Sequence, residues 1–361
     1  MHVPDGFINA PVSVAAGAVA ATAVAVSLRG ARRELGGAFQ GEGSGGERTA
    51  PLAGLVAAFI FAVQMLNFPV AAGTSGHLLG GALAAILVGP YTGVLCVSVV
   101  LLMQGILFAD GGLTALGVNI TVMGVVTVVV AYAVFRGLLK VLPPTRRSVT
   151  VAAFAGALLS VPGAATAFTA IYALGGTTDV PIGKVFTAMV GVHVLIGIGE
   201  AAITAATVGA VIAVRPDLVH GARGLSTPLK LRVGGELVDA PAAAPAPAPA
   251  RSTKPVWITG LVTALVLAGF VSYYASASPD GLEKVAADQG IDAKAEEHAA
   301  AGSPLADYSV KDVTDARLSG GLAGIIGVGA TVVVGTGIFW TVRRRRAQDL
   351  TATSTPAPSA R

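Results

Sequence analysis

Long runs of apolar side chains, separated by small clusters of arginine, constrain this chain more than any other feature. A backbone inside a bilayer must satisfy its own N–H and C=O groups, which leaves helices and closed barrels as spanning structures. A helix needs roughly 17–25 mostly apolar residues to cross. Nine stretches are candidates: 11–28, 52–68, a short one at 76–88, 91–108, 116–135, 149–172, 185–213, 256–275 and 319–341. Composition agrees, with 53% hydrophobic and only 12% charged residues and a mean hydropathy of +0.74, against a surface about one-quarter charged in soluble domains. The expected fold is an all-α, polytopic membrane helix bundle of about seven spans plus a two-span C-terminal module.

Lys and Arg favour cytoplasmic loops. With the N-terminus outside and the C-terminus inside, all of the 24 basic residues except Lys184, Lys284, Lys294, Lys311 and Arg317 fall on the inner side. The pI of 9.3 therefore follows from orientation, and no nucleic-acid partner is needed to explain it. The first apolar run has no basic segment before it and Arg29, Arg32 and Arg33 after it, the pattern of a retained helix rather than a cleaved signal. The one cysteine, Cys96, can form no internal disulfide.

Two unequal parts are expected. Residues 1–214 carry seven of the runs. A cytoplasmic linker, 215–255, contains "APAAAPAPAPAR", whose alternating Ala and Pro favour an extended, semi-rigid spacer. Residues 256–341 form the two-span module around an acidic external segment, 276–318, and 342–361 form a basic tail. The Gly-rich stretch 36–50 reads as a loop.

Five histidines are the first place to look for chemistry. His220 and His298 sit among charged residues and read as solvated surface. His193 precedes Glu200 by two helical turns, so the two share a face, and ionisable groups at membrane depth usually turn toward a bundle interior. They are a possible polar pair. His77, in "GTSGHLLGG", follows the outer end of the second run and so lies on the same side as His2.

The N-terminus adds a chelate. In "MHVPDGF" the α-amine of Met1 and the amide of His2 close a five-membered ring on a metal, and the amide and Nδ1 of His2 close a six-membered one. His77 can add a fourth nitrogen. Such a planar N4 set suits Ni²⁺ and Cu²⁺ and can suit Co²⁺, whereas Zn²⁺ prefers a tetrahedron. The ligands must shed protons, so affinity is expected to fall as pH drops through the imidazole range near ~6.5. Pro4, Asp5 and Gly6 are expected to turn the terminus back into the bundle.

These residues carry a resemblance. "MHVPDGF", "QMLNFPVAAGTSGHLLGGALAAILVGP" (64–90) and "HVLIGIGEA" (193–201) resemble the CbiM/NikM family, cobalt- or nickel-specific substrate-capture (S) subunits of energy-coupling-factor (ECF) transporters. "ASASPDGLEKVAADQG" (275–290) resembles the small accessory subunit of that family, of PDGLE type and fused here in one chain. The resemblance implies that Met1, His2 and His77 hold the metal. It also implies a transmembrane coupling subunit and two cytoplasmic ATPases as partners in a bacterial cytoplasmic membrane. The chain has Ala71-Ala72-Gly73 where the family commonly has Pro-Gly-Gly, which bears on the stiffness of the loop more than on its ligand. Gln64, Asn67 and Ser75 are candidates for supporting hydrogen bonds behind the ligands.

No G-x-x-x-x-G-K-[ST] occurs, so the expected protein captures metal without hydrolysing ATP; it is not an enzyme, and Ni²⁺ or Co²⁺ is cargo rather than cofactor. Two rivals are an intramembrane serine protease, with Ser75 as nucleophile and His193 as base, and a membrane metal sensor or assembly factor. Small residues on the first run, Gly17, Ala20, Ala21 and Ala25, would let a partner helix approach. Segment 276–318 is expected to assist or gate metal loading.

Overall fold

The computed structural model describes residues 1–36, 49–71, 73–222, 230–233, 236–239 and 252–353. Most of the Gly-rich loop, much of the Ala/Pro linker and the end of the tail lie outside these.

The apolar runs fold as helices, the third only over its last eight residues. The first part comprises α1 (Ala10–Gly36), α2 (Thr49–Gln64), α3 (Gly81–Val88), α4 (Pro90–Leu107), α5 (Leu116–Asn119) continuing through a π-helical stretch, Ile120–Val126, into α6 (Thr127–Val141), then α7 (Arg146–Gly175) and α8 (Ile182–Val214). Between α2 and α3 a two-stranded antiparallel hairpin, β1 (Phe68–Ala71) and β2 (Thr74–Gly76), pairs Phe68 with Gly76. The second part holds α9 (Lys254–Gly269), α10 (Gly281–Gln289) and α11 (Ala316–Thr353).

Among the described residues, seven helical segments are long and apolar enough to cross a membrane, which makes this a multi-pass membrane protein. Their outer surfaces are apolar, as lipid requires: Val14 is 73% exposed, Leu174 77% and Val333 72%. The core instead packs small and aromatic side chains, with Phe61, Phe108, Phe135 and Phe168 fully enclosed.

Two of the nine runs account for the difference. The second forms α2, 16 residues long and only a shorter apolar helix, and the third yields a helix of only eight residues, about 12 Å long at the usual rise and too short to cross. Non-helical backbone at membrane depth is tolerated only where protein buries it, and Thr74 to Gly80 are all buried. The Glu200 carboxylate, midway along α8, accepts hydrogen bonds from the amides of Leu79 (2.7 Å) and Gly80 (3.1 Å) at the start of α3. A buried irregular segment thus leads into α3 and is tied to α8 by Glu200. Gly80 has φ +87° and an added Cβ would lie 2.6 Å from Ile60, so only glycine fits the turn.

α11 lies along α2 and α9 flanks both. Glycines permit the contact: a Cβ on Gly54 would meet Thr336 at 2.3 Å, and one on Gly327 would meet Phe61 at 2.2 Å. The accessory part therefore shares one core with the first part.

Candidate metal centre

The N-terminus is threaded into the bundle, with Met1 and Val3 buried. Asn119, just ahead of the π-helical stretch, grips Val3 from both sides: its Oδ1 accepts from Val3 N (2.8 Å) and its Nδ2 donates to Val3 O (3.1 Å). The Asp5 carboxylate accepts from the amides of Leu113 and Thr114. Gly6 turns with φ +87°, where a Cβ would lie 2.1 Å from Lys294 O. These bonds bring the terminal amine to the end of β2.

There the Met1 amine lies 2.7 Å from His77 Nε2. His77 Nδ1 faces its neighbour's carbonyl, Leu78 O, at 3.1 Å; donating there leaves the Nε2 lone pair free for the centre, the outer hydrogen bond that commonly fixes a ligand's tautomer. The His2 ring stacks on His77 with centroids 5.1 Å apart. Its Nδ1 lies 3.1 Å from Asp110 Oδ1 and its Nε2 3.1 Å from the Gln104 carboxamide. Burial pushes the His2 imidazole down to about 4, against the pull of Asp110. It is neutral at pH 7, so any loss of affinity near pH 6.5 must come from another group.

A fourth group, absent from the sequence reading of the site, is Asp280. Its Oδ2 accepts from the Met1 ammonium at 2.5 Å and lies 3.3 Å from His77 Nε2. Burial alone would raise this carboxyl, but the ammonium and His77 hold it well below the usual carboxylate range. His2, His77 and Asp280 can each present a ligand atom within 4.8 Å of the others. In the sequence Asp280 stands among many acidic residues; the distinguishing signal was local, the D-x-x-E spacing of a capping box. Asp280 Oδ1 accepts from Glu283 N (2.8 Å) while Glu283 accepts from Asp280 N (2.9 Å).

The accessory segment covers this centre. Ser75 N donates to Pro279 O (2.8 Å) and Ser75 Oγ to Ser278 O (2.7 Å), while Ser276 N donates to Asn67 O (2.7 Å). The Tyr308 hydroxyl donates to Asp110 Oδ2 (2.6 Å), and Tyr308 stacks on Phe108 at 4.9 Å. Ala109, Asp307 and Tyr308 all have positive φ, a costly conformation for side-chain-bearing residues. All three border the contact behind His2. A cavity of about 620 Å³ opens beside the centre, lined by His2, His77, Asp110, Asp280, Glu283 and His298 among others.

The remaining sequence candidates fall as follows. Gln64 donates to Leu79 O (2.9 Å), so it supports the loop behind His77 rather than an imidazole. Asn67 and Ser75 hold the accessory strap, and a hydroxyl engaged with two backbone carbonyls is poorly placed as a nucleophile. His193 and Glu200 are both fully buried but do not bond each other: His193 Nδ1 faces Met189 O at 2.7 Å, and Glu200 holds the start of α3. His298, expected in solvent, has Nε2 3.2 Å from Gly111 O, and His220 is partly buried near Tyr132.

Residues 2–218 match the family described as CbiM, cobalt uptake substrate-specific transmembrane region. The chain belongs to the CbiM family. Residues 254–344 match the PDGLE domain, so this CbiM-family chain carries its accessory part in fusion. It is 39% identical to a provisionally named metal transport protein of Haloquadratum walsbyi, over 61% of this chain and 93% of that one. It is 40% identical to the fused nickel transport protein NikMN of Rhodobacter capsulatus, over 37% of this chain and 36% of that one. A crystal structure of a transition metal transporter, 25% identical, superposes with a TM-score of 0.50 over 59% of this chain and 93% of its own. The CbiM-family membership makes the chain a substrate-specific component of cobalt or nickel transport.

Proposed function

We propose that this CbiM-family chain captures Ni²⁺ or Co²⁺ for an ECF-type ABC importer, holding the ion in an N4 set: the Met1 amine, the amide and Nδ1 of His2, and His77 Nε2. The observation that carries this reading is the buried terminal amine 2.7 Å from His77 Nε2, beside a stacked His2 ring. Only residue 2 can close both chelate rings, so the terminus must be free. As the ion arrives, the His2 Nδ1 turns from Asp110 toward the metal.

In this reading the N-terminus faces outside and the C-terminus inside. Residues 1–214 form the capture module, 215–255 the linker, 256–341 the PDGLE module and 342–361 a basic tail. The chain has no phosphate-binding loop motif, so a coupling subunit and two cytoplasmic ATPases supply the energy.

Calorimetric titration of the purified full chain with Ni²⁺ and Co²⁺ tests the site. An uncleaved N-terminal tag removes the amine and is expected to weaken binding at least the roughly 10–100-fold that losing an outer-shell partner costs. Undiminished binding by the tagged chain would exclude the terminal chelate. Uptake in cells with and without the ATPases separates an importer from a sensor, and the titration decides which ion is preferred.

A further inference from the structure

We propose that Asp280 of the PDGLE segment supplies a fifth, axial oxygen ligand to the captured metal. The proposal rests on the N4 reading above and adds to it a ligand from the fused accessory part.

The argument is geometric. Bonds of about 2.0–2.1 Å from a first-row metal to two cis donors place those donors roughly 3 Å apart. The Met1 amine, His77 Nε2 and Asp280 Oδ2 form a triangle with sides of 2.7, 3.3 and 2.5 Å. One ion can therefore touch all three. In the planar set the amine has two cis neighbours, the His2 amide and His77, and both in-plane positions are filled. A donor cis to both the amine and His77 must lie out of the plane.

Asp280 is also held for the task. Its other oxygen accepts from Glu283 N (2.8 Å), and the residue before it is tied to Ser75 N (2.8 Å). The residue after it is Gly281, where a Cβ would lie 2.7 Å from Ile196 and 3.0 Å from His193 Cε1. The strap is thus seated against α8, and the carboxylate cannot slide away without breaking the cap. His193 Nε2, buried without a hydrogen-bond partner among the described residues, borders the same small space as Met1, His77 and Asp280.

An axial carboxylate changes what the site accepts. Four planar nitrogens alone favour low-spin, diamagnetic, yellow Ni²⁺; a fifth oxygen gives a paramagnetic, weakly absorbing ion and accommodates Co²⁺. The experiment compares the full chain in detergent with Asp280→Ser, which keeps an N-cap but is too short to reach the metal, and with Glu283→Ala, which loosens the cap and leaves the carboxylate. The Ni²⁺-loaded native chain and Glu283→Ala are expected to be paramagnetic. Asp280→Ser is expected to turn yellow and diamagnetic, with Co²⁺ affinity falling tenfold or more and Ni²⁺ affinity falling less. An unchanged spectrum in Asp280→Ser, or the same change in Glu283→Ala, would overturn the proposal. An N-terminally tagged chain serves as the reference for the N4 reading: if it binds metal normally that reading fails, and if it loses metal while Asp280→Ser looks native, only the axial ligand fails.

Discussion

His2 illustrates how burial sets chemistry at the level of a single residue. Its imidazole titrates near 4 because burial removes the solvent that would stabilise the cation. Between that value and the ordinary 6.5, the unfolded chain binds a proton that the folded chain refuses. Stability is therefore fully present above about 6.5 and falls as pH drops toward 4, by on the order of 3 kcal/mol across the window. Thermal melts of the apo protein from pH 7 to pH 4.5 should show this slope, and His2→Ala should flatten it. Asp280 contributes in a separate window: held below the usual range, its stabilisation is lost only in stronger acid. The imidazole at position 2 was legible in the sequence as a candidate donor; its neutrality was not, because the burial that lowers it comes from distant parts of the chain and acts against the opposing pull of Asp110.

Among the elements, the junction between β2 and α3 carries the most consequence. Glu200 provides both acceptors for the Leu79 and Gly80 amides, at a helix N-terminus where negative charge is favoured. Glu200→Ala leaves two buried donors unmet and is expected to cost about 2–4 kcal/mol, seen as a lower melting temperature in detergent. Because the same segment bears His77, metal affinity should fall with it, and Glu200→Gln, which keeps one acceptor, should fall less on both measures. Gly80→Ala is expected to be worse tolerated than Gly73→Ala: both have positive φ, but only Gly80 also meets a side chain, Ile60 at 2.6 Å. The sequence marked His193 and Glu200 as one face of one helix, and both do turn inward. Their separate partners followed from a stretch that is half helix and half irregular segment, which hydropathy averaged over a window cannot resolve.

Across the whole molecule, the accessory part is fastened at two levels, by the strap over the candidate metal centre and by α9 and α11 against α2 within the bundle. A chain cut by protease at a site placed in the Ala/Pro stretch is therefore expected to keep its two pieces together through purification in detergent. Gly327→Leu, which forces a side chain into Phe61 and Phe108, should release the C-terminal piece from the cut chain. Retention of both pieces in that variant would show that the strap alone suffices. Deleting 256–341 is expected to lower uptake, because the deletion removes both the cover and Asp280.

The sequence by itself determined the solvent, the helices and the donor atoms that the terminus can offer. Those properties are local: apolar run length decides what can cross a bilayer, and the two rings at Met1 and His2 involve adjacent residues only. The tertiary structure decided what meets that terminus. His77, 76 residues from Met1, was expected on the side of the terminus from the order of the runs and from the resemblance, whereas Asp280, 279 residues away, was not; no local pattern fixes those close approaches. They depend on a half-length helix that lets an irregular segment descend to Glu200, and on close glycine contacts that lay α11 along α2. Those contacts carry a capped carboxylate onto the amine, a placement that only the packed chain defines.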